Sequence, residues 1–228
     1  TLGFTVNTSE NVTVTGTPQI ALTIGSTVRQ AGYASGSGSS ELVFSYTVQT
    51  GDNDTDGVAV GDLSLNSGTL KDSAGNDMTL TLNSVGATSE VRVDTTAPTF
   101  ASSTPTDGAV SVAVASNIAL TFSENIVAGT GNVTLFKADG TSVQAFDIAA
   151  LPSGSSIAGS TLTLNPSADL ESSTDYYIQV AATAIDDAAG NSFAGIVDNS
   201  TLNFTSADVA APTVTSVSVP SAGSYVTG

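Results

Sequence analysis

The side chains in this sequence that could do chemistry are almost all carboxylates. Asp and Glu number 21 against 4 Lys and Arg, so the 228-residue chain carries a formal charge of −17. His, Cys and Trp are absent. Those absences exclude a Ser-His-Asp triad, a thiol nucleophile and an ordinary zinc site. They exclude disulfide staples as well. What remains is a donor set of carboxylate, amide and hydroxyl oxygens, which suits a hard cation such as calcium. Asp outnumbers Glu 16 to 5, and many Asp stand beside Gly, Asn, Ser or a second Asp. A solvated helical face would favour Glu, because Asp is a poor helix former. Asp in loops with Gly and Asn either closes turns or binds calcium.

The densest such stretch is Asp52-Asn53-Asp54-Thr55-Asp56-Gly57. It sets oxygens at alternate positions, as an EF-hand loop begins, but lacks the flanking helices and the closing bidentate Glu. Carboxylates this closely spaced repel one another unless a cation or water separates them. Calcium takes about six to eight oxygens, so neighbouring segments must contribute. In a Greek-key sandwich, strand-direction counting places the Ser-Glu-Asn corners and the Asp-x-Ala-Gly-Asn loops at the end where the chain enters. Glu124 is then expected near Asp186, Asp187 and the linker residue Asp94, with the loop of Asp52, Asp54 and Asp56 facing that linker. Glu10, Asp72 and Asp77 would form the equivalent cluster at the entrance of the first domain. The alternative is that Asp72 and Asp187 only cap turns. Calcium at the domain junction would offset part of the negative charge and stiffen the linker.

The elements that must position these groups are strands. Apolar residues alternate with polar residues or Thr at 4–6, 11–15, 19–24, 42–48, 79–82, 118–122, 132–136, 161–164 and 176–180. Gly- and Ser-rich clusters at 34–40 and 152–160 separate them. Short strands spaced by such turns predict an all-β fold of sandwich type. The Ala-rich stretch 181–189 is interrupted by Thr183, Asp186 and Asp187 and gives no amphipathic helix. No apolar run is long enough to cross a membrane as a helix. The acidity is unsuited to nucleic acid or an anionic membrane surface.

The chain also repeats itself. Ser9-Glu10-Asn11-Val12 recurs as Ser123-Glu124-Asn125-Ile126, 114 residues later. Ala74-Gly75-Asn76 recurs as Ala189-Gly190-Asn191, and Thr96-Ala97-Pro98 as Ala210-Ala211-Pro212. Three landmarks in one order, spaced by 114, 115 and 114 residues, predict two tandem Greek-key sandwiches, at 1–94 and 95–209, followed by an extra strand segment at 210–228. Residues 1–94 hold 10 acids and 3 bases, and the remainder 11 acids and 1 base, so the charge belongs to the repeat itself.

The strings FTVNTSENVTVTG, TVQTGDNDTDGVAV and GTLKDSAGND resemble the bacterial immunoglobulin-like repeats of giant secreted surface adhesins, including those with RTX-type export. STPTDGAVSVAVASNIALTFSENI and YYIQVAATAIDDAAGNSFAG are similar to the Ig-like domains of S-layer and surface-anchored proteins. The resemblance spans essentially the whole chain. It implies a non-catalytic spacer or display domain at the bacterial cell surface, outside the cell and often rigidified by calcium. Such signatures specify architecture well and activity poorly.

Two readings of the chain ends follow. Twenty residues, 98–117, precede the strand at Ile118, whereas its counterpart Phe4 stands near the start of the sequence. Residues 212–228 together with residues 1–3 make the same total of 20. Either this is a window on a covalent array of repeats, or residues 212–228 of one molecule complete the first domain of the next. In the second reading Val214, Val217, Val219, Tyr225 and Val226 are the inserting side chains, and the product is a head-to-tail filament. A calcium-dependent carbohydrate-binding module is a further alternative, with cell-surface glycans as partners. Aromatic residues at 6% with no Trp offer few sugar platforms, and they argue equally against a two-carboxylate glycosidase.

Overall fold

The structure, a computed structural model, describes residues 1–218. Val219, Tyr225 and Val226 lie outside the described residues. The chain divides into two units, Thr1–Pro98 with Asp186–Phe193, and Thr99–Ile185 with the residues from Ala194 onward.

The first unit contains β1 (Leu2–Thr15), β2 (Gln19–Ile24), β3 (Thr27–Ser35), β4 (Ser39–Tyr46), β5 (Ala59–Ser64) and β6 (Thr69–Lys71), in the order β5-β2-β3-β4-β1-β6. Period-two burial drives the pairing: Ile20, Leu22 and Ile24 of β2 turn inward, as do Leu42, Phe44 and Tyr46 of β4. Each fully buried side chain of this size contributes about 1.5–3 kcal/mol. Gly25 in the β2–β3 turn has φ +57°, and a Cβ there would meet the Asn53 carbonyl oxygen at 2.4 Å. Only glycine fits that approach. β1 runs antiparallel to β4 from Leu2↔Tyr46 to Asn7↔Glu41. Its ladder breaks between Asn7 and Val12, and Thr13–Thr15 then pair with β6. Such an irregularity bends a strand and lets it serve two partners.

Residues 79–82, expected as a strand, join no ladder among the described residues. Leu80 and Leu82 do pack against the core. Alternation reports which face is buried, not whether a neighbouring backbone is present to pair with. Conversely, β3 carries Arg29 and Gln30 amid weak alternation, and the sequence pattern did not mark it.

The second unit contains β7 (Phe100–Thr104), β8 (Ala109–Val112), β9 (Ile118–Phe122), β10 (Val127–Ala128), β11 (Asn132–Lys137), β12 (Ser142–Asp147), β13 (Ser156–Ala158), β14 (Thr161–Leu164), β15 (Asp175–Val180), the first residue of β16 (Ile185–Asp186) and β17 (Asn203–Ser206). A five-stranded sheet, β12-β11-β15-β17-β8, and a four-stranded sheet, β13-β14-β9-β7, form the expected sandwich. Ile118, Leu120 and Phe122 of β9 are buried, as are Val133 and Leu135 of β11 and Tyr176, Ile178 and Val180 of β15. Tyr176 stacks on Phe204 at 5.6 Å between ring centroids. A short 3-10 turn, Ile148–Ala150, is capped by Asp147.

The two units share a plan. β2 pairs with both β3 and β5, and β11 pairs with both β12 and β15. β1 corresponds to β9 through the 114-residue repeat. β9 is flanked by β14 and β7, whereas β1 has β4 on one side and only the short β6, at Thr13–Thr15, on the other. Among the described residues no strand covers that second edge at residues 2–8.

Candidate functional site

The aspartate-rich loop after β4 is held by partners that its own sequence does not reveal. Asp52 is buried, and its Oδ1 meets Arg29 Nη2 at 2.7 Å and Nε at 2.8 Å. Its Oδ2 accepts from the Tyr46 hydroxyl at 2.6 Å and the Gln49 N–H at 2.8 Å. Burial pushes the Asp52 carboxyl up, but those hydrogen bonds and the guanidinium outweigh it and hold the group below its ordinary range. Asp54, also buried, accepts the Gly25 N–H on Oδ2 and the Gly57 N–H on Oδ1, both at 2.7 Å. The Gly25 bond leads in lowering its pKa, against the opposing effect of burial. Asp56 is exposed. Asp56 also interacts with the Asp54 side chain, but among the described residues the three carboxylates do not converge on one point. Arg29 and backbone N–H groups supply the compensation that the acidic run demands.

The loop does reach the linker. Asp54 and Val93 exchange backbone hydrogen bonds at 2.6 and 3.0 Å. Asn53 Nδ2 donates to Thr96 Oγ1 at 2.7 Å, and the Thr95 N–H donates to Asn53 Oδ1 at 2.8 Å.

The two Asp-x-Ala-Gly-Asn loops are near copies. Asp72 accepts the Asn76 N–H at 2.8 Å and the Asn76 side-chain amide at 2.7 Å. Asp187 accepts the corresponding pair from Asn191 at the same distances, and takes the Ala189 N–H at 2.8 Å besides. Both carboxyls are held below their ordinary range. For Asp72 the Asn76 amide is the main cause. For Asp187, burial works upward and the Asn191 bonds outweigh it. Both residues thus close turns. Asp187 has a further neighbour, since a carboxylate oxygen of Asp94 lies within 4.8 Å of one of its own. Asn191 Nδ2 reaches the Asp94 carbonyl at 3.2 Å as well. Asp186 has a buried Oδ1 that takes no hydrogen bond among the described residues.

Glu10, Asp72 and Asp77 all line one groove of the first unit, yet among the described residues they do not gather around a common point. Asp77 is drawn instead to Lys71, at 2.6 Å. Glu124 stands in the corner after β9. Val214 and Val217 are exposed and belong to no strand.

Sequence reasoning missed Arg29 and Tyr46, the partners of Asp52. It also passed over Asp198, whose carboxylate accepts from the N–H and hydroxyl of both Ser200 and Thr201. The Ser200 N–H leads these bonds in holding it far below the ordinary carboxylate range. The run Asp-Asn-Ser-Thr at 198–201 is a legible turn signal; Arg29 has no comparable local sign.

Residues 94–206, which take in the second sandwich, match the family model of the bacterial Ig-like domain. Among solved structures, CopC from Methylosinus trichosporium OB3b is similar at a TM-score of 0.36 and 12% identity, over 51% of this chain and 99% of that one. No curated protein matches the chain.

Proposed function

We propose that the chain is a non-catalytic structural length of an extracellular bacterial surface protein, an adhesin or a filament, stiffened by calcium. The observation that carries this reading is the use made of the buried polar side chains, Asp52, Asp54, Ser103, Asp187 and Ser206. Each holds a loop or strand end in place. Ser103 Oγ donates to the Pro105 carbonyl at 2.7 Å, Ser206 Oγ to the Glu171 carbonyl at 2.5 Å, and the aspartates close the turns described above. A scaffold is stabilised by such bonds, whereas a catalytic site leaves polar groups aimed at a substrate.

Support for calcium is local. Asp94 and Asp187 bring carboxylate oxygens within 4.8 Å of each other, a repulsive arrangement that a cation would convert into attraction. The donors are all oxygen, so the residues fit a hard divalent ion. Asp94 and Asp187 would hold it, and the ion would supply positive charge and fix the loop. An ion that binds only the folded form adds about 2.7 kcal/mol at one hundred times its dissociation constant.

Scanning calorimetry in millimolar calcium, and again in chelator at matched ionic strength, tests the proposal. The expected result is a melting temperature several degrees higher in calcium, with the difference lost in Asp187→Asn. An unchanged transition would remove calcium from the reading. Saturable calcium-dependent binding on a glycan array would replace the structural role with a carbohydrate-binding one.

A further inference from the structure

The second unit lays β8, close to where the chain enters it, parallel to β17, its last strand among the described residues. Ala109 stands opposite Phe204 and Val112 opposite Ser206. Hydrogen bonds close both ends of the pair. At the near end the Gly108 N–H donates to the Asn203 carbonyl at 2.8 Å, and the Asn203 N–H to Asp107 Oδ1 at 3.0 Å. At the far end the Ala207 N–H donates to the Val112 carbonyl at 2.7 Å. β17 is held from its other side by β15, with Asp175 opposite Thr205.

Apolar burial does not explain why β8 is kept there. Val110 is 73% exposed, Ser111 is exposed, and Ala109 and Val112 are only half-buried. The strand is held by its backbone. Its register is pinned as well, because three steps on β8, from Ala109 to Val112, face two on β17, from Phe204 to Ser206. Ser111, in the left-handed region at φ +57°, lies within that irregularity. A bulge of this kind resists sliding, since a slip of one residue would have to move it.

We infer that the β8–β17 pair is a shear clamp, the element that bears load when the chain is pulled through this unit. The reason is directional. In a parallel pair the start of one strand and the end of the other lie at opposite ends of the ladder. Tension that enters before β8 and leaves after β17 therefore runs along both strands and stresses the interstrand bonds together. In an antiparallel pair those two points would lie at one end, and the bonds would open one after another. β7 lies upstream on β9, and its release leaves the clamp closed. The use of such a clamp rests on the structural role proposed above, whereas its geometry does not and needs no calcium.

Pulling the chain between two different pairs of points tests this. Handles are attached through introduced thiols, since the chain has no cysteine of its own. Thr106→Cys with Val209→Cys loads the pair in shear. Thr106→Cys with Asn199→Cys draws the starts of both strands apart and peels them. All three positions are exposed, and none of the clamp's bonds is altered. Forced unfolding reads the barrier to opening, so rupture in optical tweezers, in chelator, is expected at a force at least about twofold higher in shear than in peeling. Ala207→Pro removes the donor at the far end. It should lower the shear force and leave unchanged the peeling force, which is set at the Gly108 end. Equal rupture forces in the two geometries overturn the inference, and so does a proline substitution that changes both forces alike or neither. The calorimetric comparison in calcium and chelator is independent of these readings, so failure of the clamp and failure of the proposed role are told apart.

Discussion

Arg29 closes on Asp52 through two nitrogens that share one carboxylate oxygen, at 2.7 and 2.8 Å. The other oxygen receives Tyr46 and Gln49, so β3, β4 and the loop after β4 are tied at a single buried charge. The Asp52 side chain is fully shielded from solvent.

Removing the cation leaves that charge buried and under-compensated. Arg29→Met is expected to destabilise the first unit by about 2–4 kcal/mol, since breaking a buried pair from one side costs more than the pair itself contributes. Denaturant unfolding measures this through a lower midpoint. Asp52→Asn added to Arg29→Met should recover part of the loss. Additive single and double variants would show that the two groups act independently.

The same carboxylates make an acid limb. Asp52 and Asp54 titrate below their ordinary values in the folded chain. Their stabilisation is therefore present above the unfolded pKa of about 3.9 and is lost as pH falls through the lower folded values. Thermal melting followed against pH should be level near neutrality and should fall steeply below about pH 4. Asp54→Asn should lower the neutral plateau and make the acid limb shallower. An acid limb of unchanged slope in that variant would assign the effect to other groups.

Much of the fold was legible because burial in a strand has a period of two. β2, β4, β9, β11, β14 and β15 each stand where alternation placed them, within a few residues. Residues 79–82 show the limit: Leu80 and Leu82 pack against the core as the pattern requires, yet among the described residues their backbone joins no ladder, and pairing is a property of the partner. The site was less legible for a related reason. The Asp52–Asp56 run reads locally as a cation loop, but the cation that answers Asp52 is Arg29, on a strand whose pattern is weak. The paired Asp-Asn loops were readable, since Asp72 with Asn76 and Asp187 with Asn191 carry their geometry within five consecutive residues.

Those paired loops give a controlled comparison. Asp72 and Asp187 make the same two bonds to their asparagines, but Asp72 is half-buried whereas Asp187 is buried and has Asp94 close by. Asp72→Ala is expected to cost about 1 kcal/mol, as for the loss of a turn-closing side chain. Asp187→Ala should cost about 2 kcal/mol or more in calcium, because buried N–H groups lose their acceptor. In chelator that cost should shrink, since removing Asp187 also relieves its repulsion with Asp94. Urea titrations of both variants in both media separate these contributions. A cost for Asp187→Ala that is identical in the two media would leave turn closure as its whole role.

Gly57 and Gly75 separate backbone conformation from crowding. Both have left-handed φ, +110° and +92°. A Cβ on Gly75 would meet nothing within 4 Å, whereas one on Gly57 would lie 2.4 Å from the Thr88 carbonyl oxygen and 2.6 Å from Ser89 Cα. Gly75→Ala should therefore cost only the conformational strain, about 1 kcal/mol. Gly57→Ala must in addition displace backbone that Val58 and Val91 lock through a 3.0 Å hydrogen bond, and should cost about 3 kcal/mol or more. It should also lengthen the Gly57 N–H bond to Asp54, so its acid limb should resemble that of Asp54→Asn. Equal costs for the two glycine variants in denaturant unfolding would mean that the 76–91 segment yields to the added methyl.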